Sequence, residues 1–361
     1  MTMRFLSSPC LLDRFGHLGQ EPEWLIKARA LGLIDDCTFA ISTYGRTKPV
    51  VNACLLDYWC QYVEVTGAPA DPEALIDSYP GNFQLFVDGT AISRWRGRDL
   101  VHAQWDAAGL PPLLTITAAH RAASRATLAT LGLPADAWFV ALDVREAGFL
   151  GAGYHDHRNA DVLTYLPAIA AIVDRGGWVV RVGHPSTVPL PVLPQVIDYA
   201  HSAVRSESLD VYLLGDCRFL LGTNSGPTNV ANAFGTPVCG TNWTPAGMGA
   251  FRRGDLYIPK LYAAGARVFS YAETLQSPAR GYNAIHEYRQ AGLTIVDNTP
   301  DEIAAVVDEM LGALEGDAHR DGRFADARAT YQRLLEAEDT WGTLGALGQD
   351  FMLDDLSQVV A

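Results

Sequence analysis

Short apolar runs alternate with helical patterns along nearly the whole chain, and this alternation limits the fold more than any other feature. A strand that returns to a parallel neighbour needs a long crossover, usually a helix, so repeated β/α alternation dictates a largely parallel sheet covered by helices. In the first third, Arg4 to Leu12 and Thr38 to Ile41 read as strands. Pro22 to Leu31 reads as a helix with Trp24, Leu25 and Ala28 on one face, and Val50 to Tyr62 as a second helix. Phe83 to Val87 is a further strand, ended by Asp88-Gly89 turn chemistry. The expected fold class is α/β and doubly wound.

Pro111-Pro112 breaks the pattern, and Ala118 to Leu131 follows as an Ala-rich helix closed by Gly132 and Pro134. Beyond it Trp138 to Val144 is a continuous apolar strand interrupted only by Asp143. Asp161 to Asp174 is helical, Trp178 to Val182 and Gln195 to Ile197 are strands, and Leu209 to Leu214 is helical. Phe219 to Leu221 is a strand, Pro227 to Phe234 a helix, and Pro237 to Gly240 leads into another strand. Runs apolar on both faces suit a parallel sheet buried between helix layers, whose ligands lie beyond the carboxyl ends of its strands. From Thr299 onward the text is helical and acidic, with Ile303, Val306, Val307, Met310 and Leu311 on one stripe. A length of 361 residues exceeds what one core usually serves. The expected division is residues 1–133, residues 134–340, and a C-terminal helical segment 341–361 packing back across the domains.

The formal charge of −14, with scattered Lys and Arg, argues against a nucleic-acid binder, which needs a basic face. Any anionic ligand must then be held by a few placed arginines. The opening residues carry too short an apolar run for a signal peptide, and no later stretch reaches the roughly 20 apolar residues of a membrane span. A cytoplasmic location is expected. The six cysteines form no C-x-x-C pair, and His155-x-His157 has no marked fourth ligand, so neither a disulfide framework nor a metal is expected.

The strongest local signal is Leu221-Gly222-Thr223-Asn224-Ser225-Gly226-Pro227, where an apolar strand runs through small polar residues into a helix. Pro227 fits the first helical position with Gly226 or Ser225 as N-cap, so the following N–H groups point outward and suit a diphosphate. An ordinary capped strand-helix connection reads the same way. Arg145 and Arg181 follow strands and Arg158 sits beside Asn159 in the next loop, so three guanidinium forks fall on one rim, with Gly183 just beyond. Asp198 and Tyr199 offer a carboxylate and an aromatic ring to a ribose and base, while Ser208 opens a helix and also reads as a cap. In Asp13-Arg14-Phe15-Gly16-His17-Leu18-Gly19-Gln20-Glu21-Pro22, glycines around His17 read as a loop that approaches a ligand closely. The imidazole of His17 suits deprotonating an acceptor hydroxyl, with Glu21 as the rival base.

The blocks Asp13 to Leu18, Val144-Arg145-Glu146-x-Gly148-Phe149, His157 to Asp161, Arg181 to Gly183, Ile197 to Ser202 and Phe219 to Gly226 occur in the order of a known family. Over about residues 10 to 245 the chain resembles a little-characterised family of bacterial glycosyltransferases found in surface-polysaccharide and natural-product gene neighbourhoods. More distantly the second half is similar to protein O-fucosyltransferases, whose donor phosphate is held by an arginine matching Arg145 and a turn matching Thr223 to Gly226. Asn224 and Gly226 stand where those enzymes favour paired serines, so donor base and sugar do not carry over. Gly16-His17 is similar to the catalytic-histidine element of antibiotic and plant glycosyltransferases, over that short element only.

The resemblance implies a GT-B architecture of two Rossmann-like domains facing across a cleft, the first on the acceptor side and the second holding the donor. It implies a metal-independent, inverting transfer from a nucleotide-sugar donor to a glycan or small-molecule acceptor, with no cofactor, and leaves room for a homodimer. Two rivals stay open: a nucleotide-sugar epimerase on the same fold, and a non-catalytic sugar-nucleotide-binding scaffold.

Overall fold

The computed structural model describes residues 2–7, 10–77, 85–87, 90–147, 153–316, 329–335, 342–352 and 355. The turn expected at Asp88-Gly89, and Gly148 and Phe149 of the resemblance, lie outside the described residues. The expected helical segment 341–361 is corrected where it is described: Ala346–Leu347 is a strand, and helix is marked only at residues 349–352 and 355. The chain is a mixed α/β protein that divides into two compact units. Unit one comprises residues 1–121, 206–216 and 226–236, and unit two residues 122–205, 217–225 and 237–361.

The first stretch of unit one runs β1 (Thr2–Ser7), α1 (Phe15–Ala30), β2 (Cys37–Ser42), α2 (Ala53–Trp59), β3 (Val63–Thr66) and β4 (Leu75–Asp77). A hairpin, β5 (Leu85–Val87) and β6 (Thr90–Ile92), then leads to α3 (Arg94–Ala107). Strands β3-β2-β1-β4 form a parallel sheet in that order. The chain winds outward from β1 to β3 and returns to place β4 on the other side of β1. The order therefore reverses beside β1, the position where a doubly wound sheet opens a crevice at its carboxyl edge. Asn52 caps α2 by accepting from the Leu55 N–H at 2.8 Å, which trims the helix expected from residue 50.

Helix α4 (Ala118–Ala129) spans the change of unit, and unit two begins its sheet with β7 (Phe139–Asp143). There follow α5 (Leu166–Asp174), β8 (Trp178–Arg181), β9 (Val196–Ile197), α6 (Glu207–Gly215), β10 (Leu220–Gly222), α7 (Gly226–Ala233), β11 (Val238–Trp243) and β12 (Leu256–Pro259). A small antiparallel sheet has β13 (Leu261–Ala264) between β14 (Arg267–Val268) and β15 (Thr294–Val296), with α8 (Tyr271–Leu275) and α9 (Ile285–Gln290) intervening. Helix α10 (Pro300–Glu315) starts from a Thr299/Glu302 capping box and stops at Gly316. Strand β16 (Ala346–Leu347) joins the edge of β12 and leads into helical residues 349–352.

All seven strands β16-β12-β11-β10-β7-β8-β9 are parallel. Every residue of β7, β10 and β11 is buried, as a sheet covered on both faces requires. The winding goes from β7 to β9 in one direction and from β10 to β16 in the other. The switch point of unit two therefore lies between β7 and β10.

Helix α1 begins seven residues before the expected Pro22, so the supposed loop around His17 is two helical turns. Its glycines do serve close approach, but to another helix. A Cβ on Gly16 would lie 2.6 Å from the Gly226 Cα of α7, and one on Gly19 2.9 Å from Val230 Cγ2. Two small residues a turn apart let α1 seat on α7, and that packing overrides their helix-breaking tendency.

Candidate functional site

At the switch point of unit two, the ends of β7 and β10 come together. Gly222 pairs with Asp143, and a Cβ at Gly222 would sit 1.9 Å from the Asp143 carbonyl oxygen, so only glycine fits there. Its φ of 149° turns the strand into Thr223-Asn224-Ser225. Each of these three residues is anchored. The Thr223 N–H donates to the Asp143 carbonyl at 3.0 Å, and its hydroxyl accepts from the Arg145 N–H at 3.0 Å. Asn224 bridges to the Thr244 backbone beyond β11. Ser225 donates its hydroxyl to the Asp143 carboxylate. Burial pushes the Asp143 carboxyl up to about 6, while Ser225, Arg145 and Arg181 pull it down.

The turn thus holds Arg145 by its backbone at the carboxyl edge, with its side chain half-buried. The Arg145 carbonyl accepts from the Ala160 N–H at 2.9 Å, which ties the segment carrying Arg158 and Asn159 to the same place. Arg158 donates to Asn283 Oδ1 at 2.7 Å. The Asn159 carbonyl accepts from Lys260 Nζ at 2.5 Å, and Lys260, buried and depressed in pKa by that burial, also meets Asp297 at 2.7 Å. His157 beside them is buried, and desolvation with the charge of Arg158 lowers its pKa to about 3, so it is neutral.

Arg181 behaves differently from the other two arginines. Its guanidinium is fully buried, donating to Glu146 at 2.6 Å and to the Val188 carbonyl at 2.5 Å, with Asp198 at 3.4 Å. Asp198 in turn accepts from the Leu190 N–H at 2.9 Å and meets His201 Nδ1 at 2.9 Å, whose Nε2 lies 3.0 Å from the Thr187 carbonyl. These side chains grip the backbone of residues 187–190, just after Gly183 bends the chain with φ 134°. The expected clamp of three arginines is corrected on this point: Arg181 and Asp198 fasten a loop from beneath. Tyr199 is wholly buried, with no ring face open to a base. Ser208 lies in α6 of unit one, its hydroxyl 2.9 Å from His120 Nε2, whose Nδ1 lies 2.8 Å from Tyr58.

In unit one, His17 and Glu21 occupy successive turns of α1, with Nδ1 and Oε1 3.4 Å apart. Glu21 is buried and His17 is 22% exposed, so the imidazole is the member of the pair that reaches outward. The helix follows β1, placing His17 on the carboxyl side of the unit-one switch point. Glu23, Lys27 and His102 form a buried set behind them: His102 Nε2 is 3.1 Å from Glu23, and Lys27 pairs with the same carboxylate.

Three participants escaped sequence reasoning. Asp143 signalled itself only as the lone polar residue of an apolar strand. Glu146 follows Arg145 directly, and nothing in the local sequence marks it as the partner of Arg181. Lys260 has no local signal, because its partners Asn159 and Asp297 are distant in sequence. Among the described residues no cluster of three or more His, Cys, Asp or Glu is arranged to hold a metal ion, and no helix is long and apolar enough to cross a membrane.

No protein-family model matches the chain, and no curated protein does. Among solved structures, the chain is similar to the Escherichia coli ADP-heptose LPS heptosyltransferase II at 10% identity, covering 88% of this chain and 100% of that one, with a TM-score of 0.43. It is similar to the dodecameric iron-containing heptosyltransferase TibC of enterotoxigenic E. coli in complex with ADP-D-β-D-heptose at 12% identity, 87% and 77% coverage and a TM-score of 0.42. For a glycosyl transferase family 9 structure from Veillonella parvula the values are 11%, 66%, 80% and 0.39.

Proposed function

We propose that the protein is a cytoplasmic glycosyltransferase that moves a sugar from a nucleoside-diphosphate sugar to an acceptor hydroxyl or amine without a metal. The observation that carries this reading is the built turn at the unit-two switch point, where Asp143, Gly222 and Thr223 fix the Arg145 backbone at the carboxyl edge of the sheet. A diphosphate leaving group develops negative charge as the glycosidic bond breaks, and fixed donors there stabilise the transition state more than the ground state. Arg145, joined by Arg158, supplies those donors.

His17 takes the proton from the acceptor, with Glu21 one turn on in α1, its carboxylate 3.4 Å from Nδ1, as its positioning residue. Direct displacement by the deprotonated acceptor inverts the anomeric centre. The sequence blocks around Arg145 and Gly16-His17 support the same assignment through the family they resemble.

The test is thermal stabilisation by UDP, GDP, dTDP, CDP and ADP, each with magnesium and with a chelator. A rise in midpoint with one diphosphate, unchanged by chelation, is expected and names the base; no rise with any of them sinks the reading. Arg145→Ala is expected to weaken binding of that diphosphate by about 10- to 100-fold, as loss of a charge-assisted contact does. His17→Ala is expected to keep donor binding and lose about 10²- to 10⁴-fold in turnover.

A further inference from the structure

We propose that Asp143 is a positioning residue of the donor site that takes up a proton from solvent when a nucleoside-diphosphate sugar binds, which makes donor affinity rise toward acid pH. The inference rests on the donor-site reading above. Its geometric basis is that a buried carboxylate at the carboxyl end of β7 accepts from Ser225, the residue immediately before α7. A negative charge is thereby built into the floor of a turn read as an anion site. Each phosphate of a nucleotide sugar is closed on two sides, by one ester and by the shared anhydride, and keeps its single negative charge throughout the neutral range. The ligand cannot relieve the repulsion by protonating itself, and the carboxylate can.

The groups facing Asp143 do not already neutralise it. Arg181, on β8, is engaged by Glu146 and Asp198, and Arg145 is the cation the phosphate itself would draw on. Tyr165, from the 162–165 turn, bonds Thr241 and Asn242, and the buried Asp143 charge helps keep its phenol neutral. Ser225 contributes one hydrogen bond, and it can stay in place with the carboxyl protonated because the second oxygen carries the proton. Burial holds the free carboxyl near 6, close enough to neutrality that a neighbouring anion moves it across the working range.

The test is titration calorimetry of the wild-type protein with UDP-glucose, GDP-mannose and ADP-glucose near pH ~7, in two buffers of different ionisation enthalpy. For the sugar that binds, uptake of about half a proton or more is expected, and affinity should fall by up to about tenfold per pH unit between about pH 6 and pH 8. Asp143→Asn should bind with no proton uptake and with affinity flat in pH. Ser225→Ala keeps the carboxylate and removes a bond that favours its ionised form, so its uptake persists with the midpoint displaced upward; this variant serves should the first not fold. Tight binding with no net proton exchange, or an uptake that survives in Asp143→Asn, overturns the proposal while leaving the donor site standing. Absence of binding by all three sugars and by the free diphosphates overturns the donor site and this inference together.

Discussion

Two buried carboxylates, one in each unit, are held in opposite ways. Glu23 in unit one is enclosed by α1 and α3 and faces Lys27 and His102; burial alone would raise its pKa, but those two partners carry it well below the usual range. Asp143 in unit two is just as buried and has a serine hydroxyl in contact, so burial wins and its pKa rises to about 6. Burial sets the size of the effect, and the partner sets its sign. A carboxylate enclosed with its counter-ions belongs to the fold. One enclosed without a matching cation in contact, at the carboxyl edge of a parallel sheet, has its charge balance open to a ligand.

The largest effect that can break this contrast comes from Glu23→Gln. It leaves Lys27 and His102 buried without their carboxylate, and a loss of about 3 to 5 kcal/mol in denaturant-measured stability is expected. Since the folded-state pKa of Glu23 lies below its unfolded value, the wild-type contribution is present above about pH 4.5 and fades as pH falls. A loss under about 1 kcal/mol would mean that solvent reaches the set.

Asp143 has the reverse linkage. Its folded pKa is raised from 3.8 to about 6, so its stabilising contribution is present below the lower value and is lost as pH climbs through the upper one. Asp143→Asn is therefore expected to gain on wild type by about 2 to 3 kcal/mol between about pH 4 and pH 8, read as thermal midpoints across that range. A variant whose pH profile runs parallel to wild type would show that Asp143 is not the group that titrates.

The smallest effect sharpens the comparison from the solvent side. Arg121 and Asp216 in unit one make a two-pronged pair at 2.6 and 3.0 Å, but Arg121 is 47% exposed. Arg121→Ala is expected to cost less than about 1 kcal/mol and to shrink further in high salt, as measured by urea denaturation.

What was legible in the sequence follows the same division between local and distant causes. Strands β7, β8 and β10 and helices α7 and α10 were visible because continuous apolar runs, Pro227, and Thr299 with Glu302 are signals contained within one element. The start of α1 differs from the expectation because Gly16, Gly19 and Pro22 are local helix breakers, and what seats Gly16 and Gly19 in a helix is α7, some 210 residues further along the chain. The turn at residues 222–226 was legible for its small polar residues. The inward role of Arg181 was not, since a rim arginine and a buried one look alike until Glu146 and Asp198 are seen around it.

The packing of α1 on α7 also sets an order of events during synthesis. Unit one includes residues 206–216 and 226–236, so its first sheet and helices leave the ribosome long before the segments that complete them. Until residue 236 has emerged, the Gly16–Gly19 face of α1 has no α7 to cover it, and the nascent chain must carry that open face while roughly half of unit two is translated. A fragment ending at residue 133 would keep it permanently. Unit one therefore cannot be completed before residue 236 has been made.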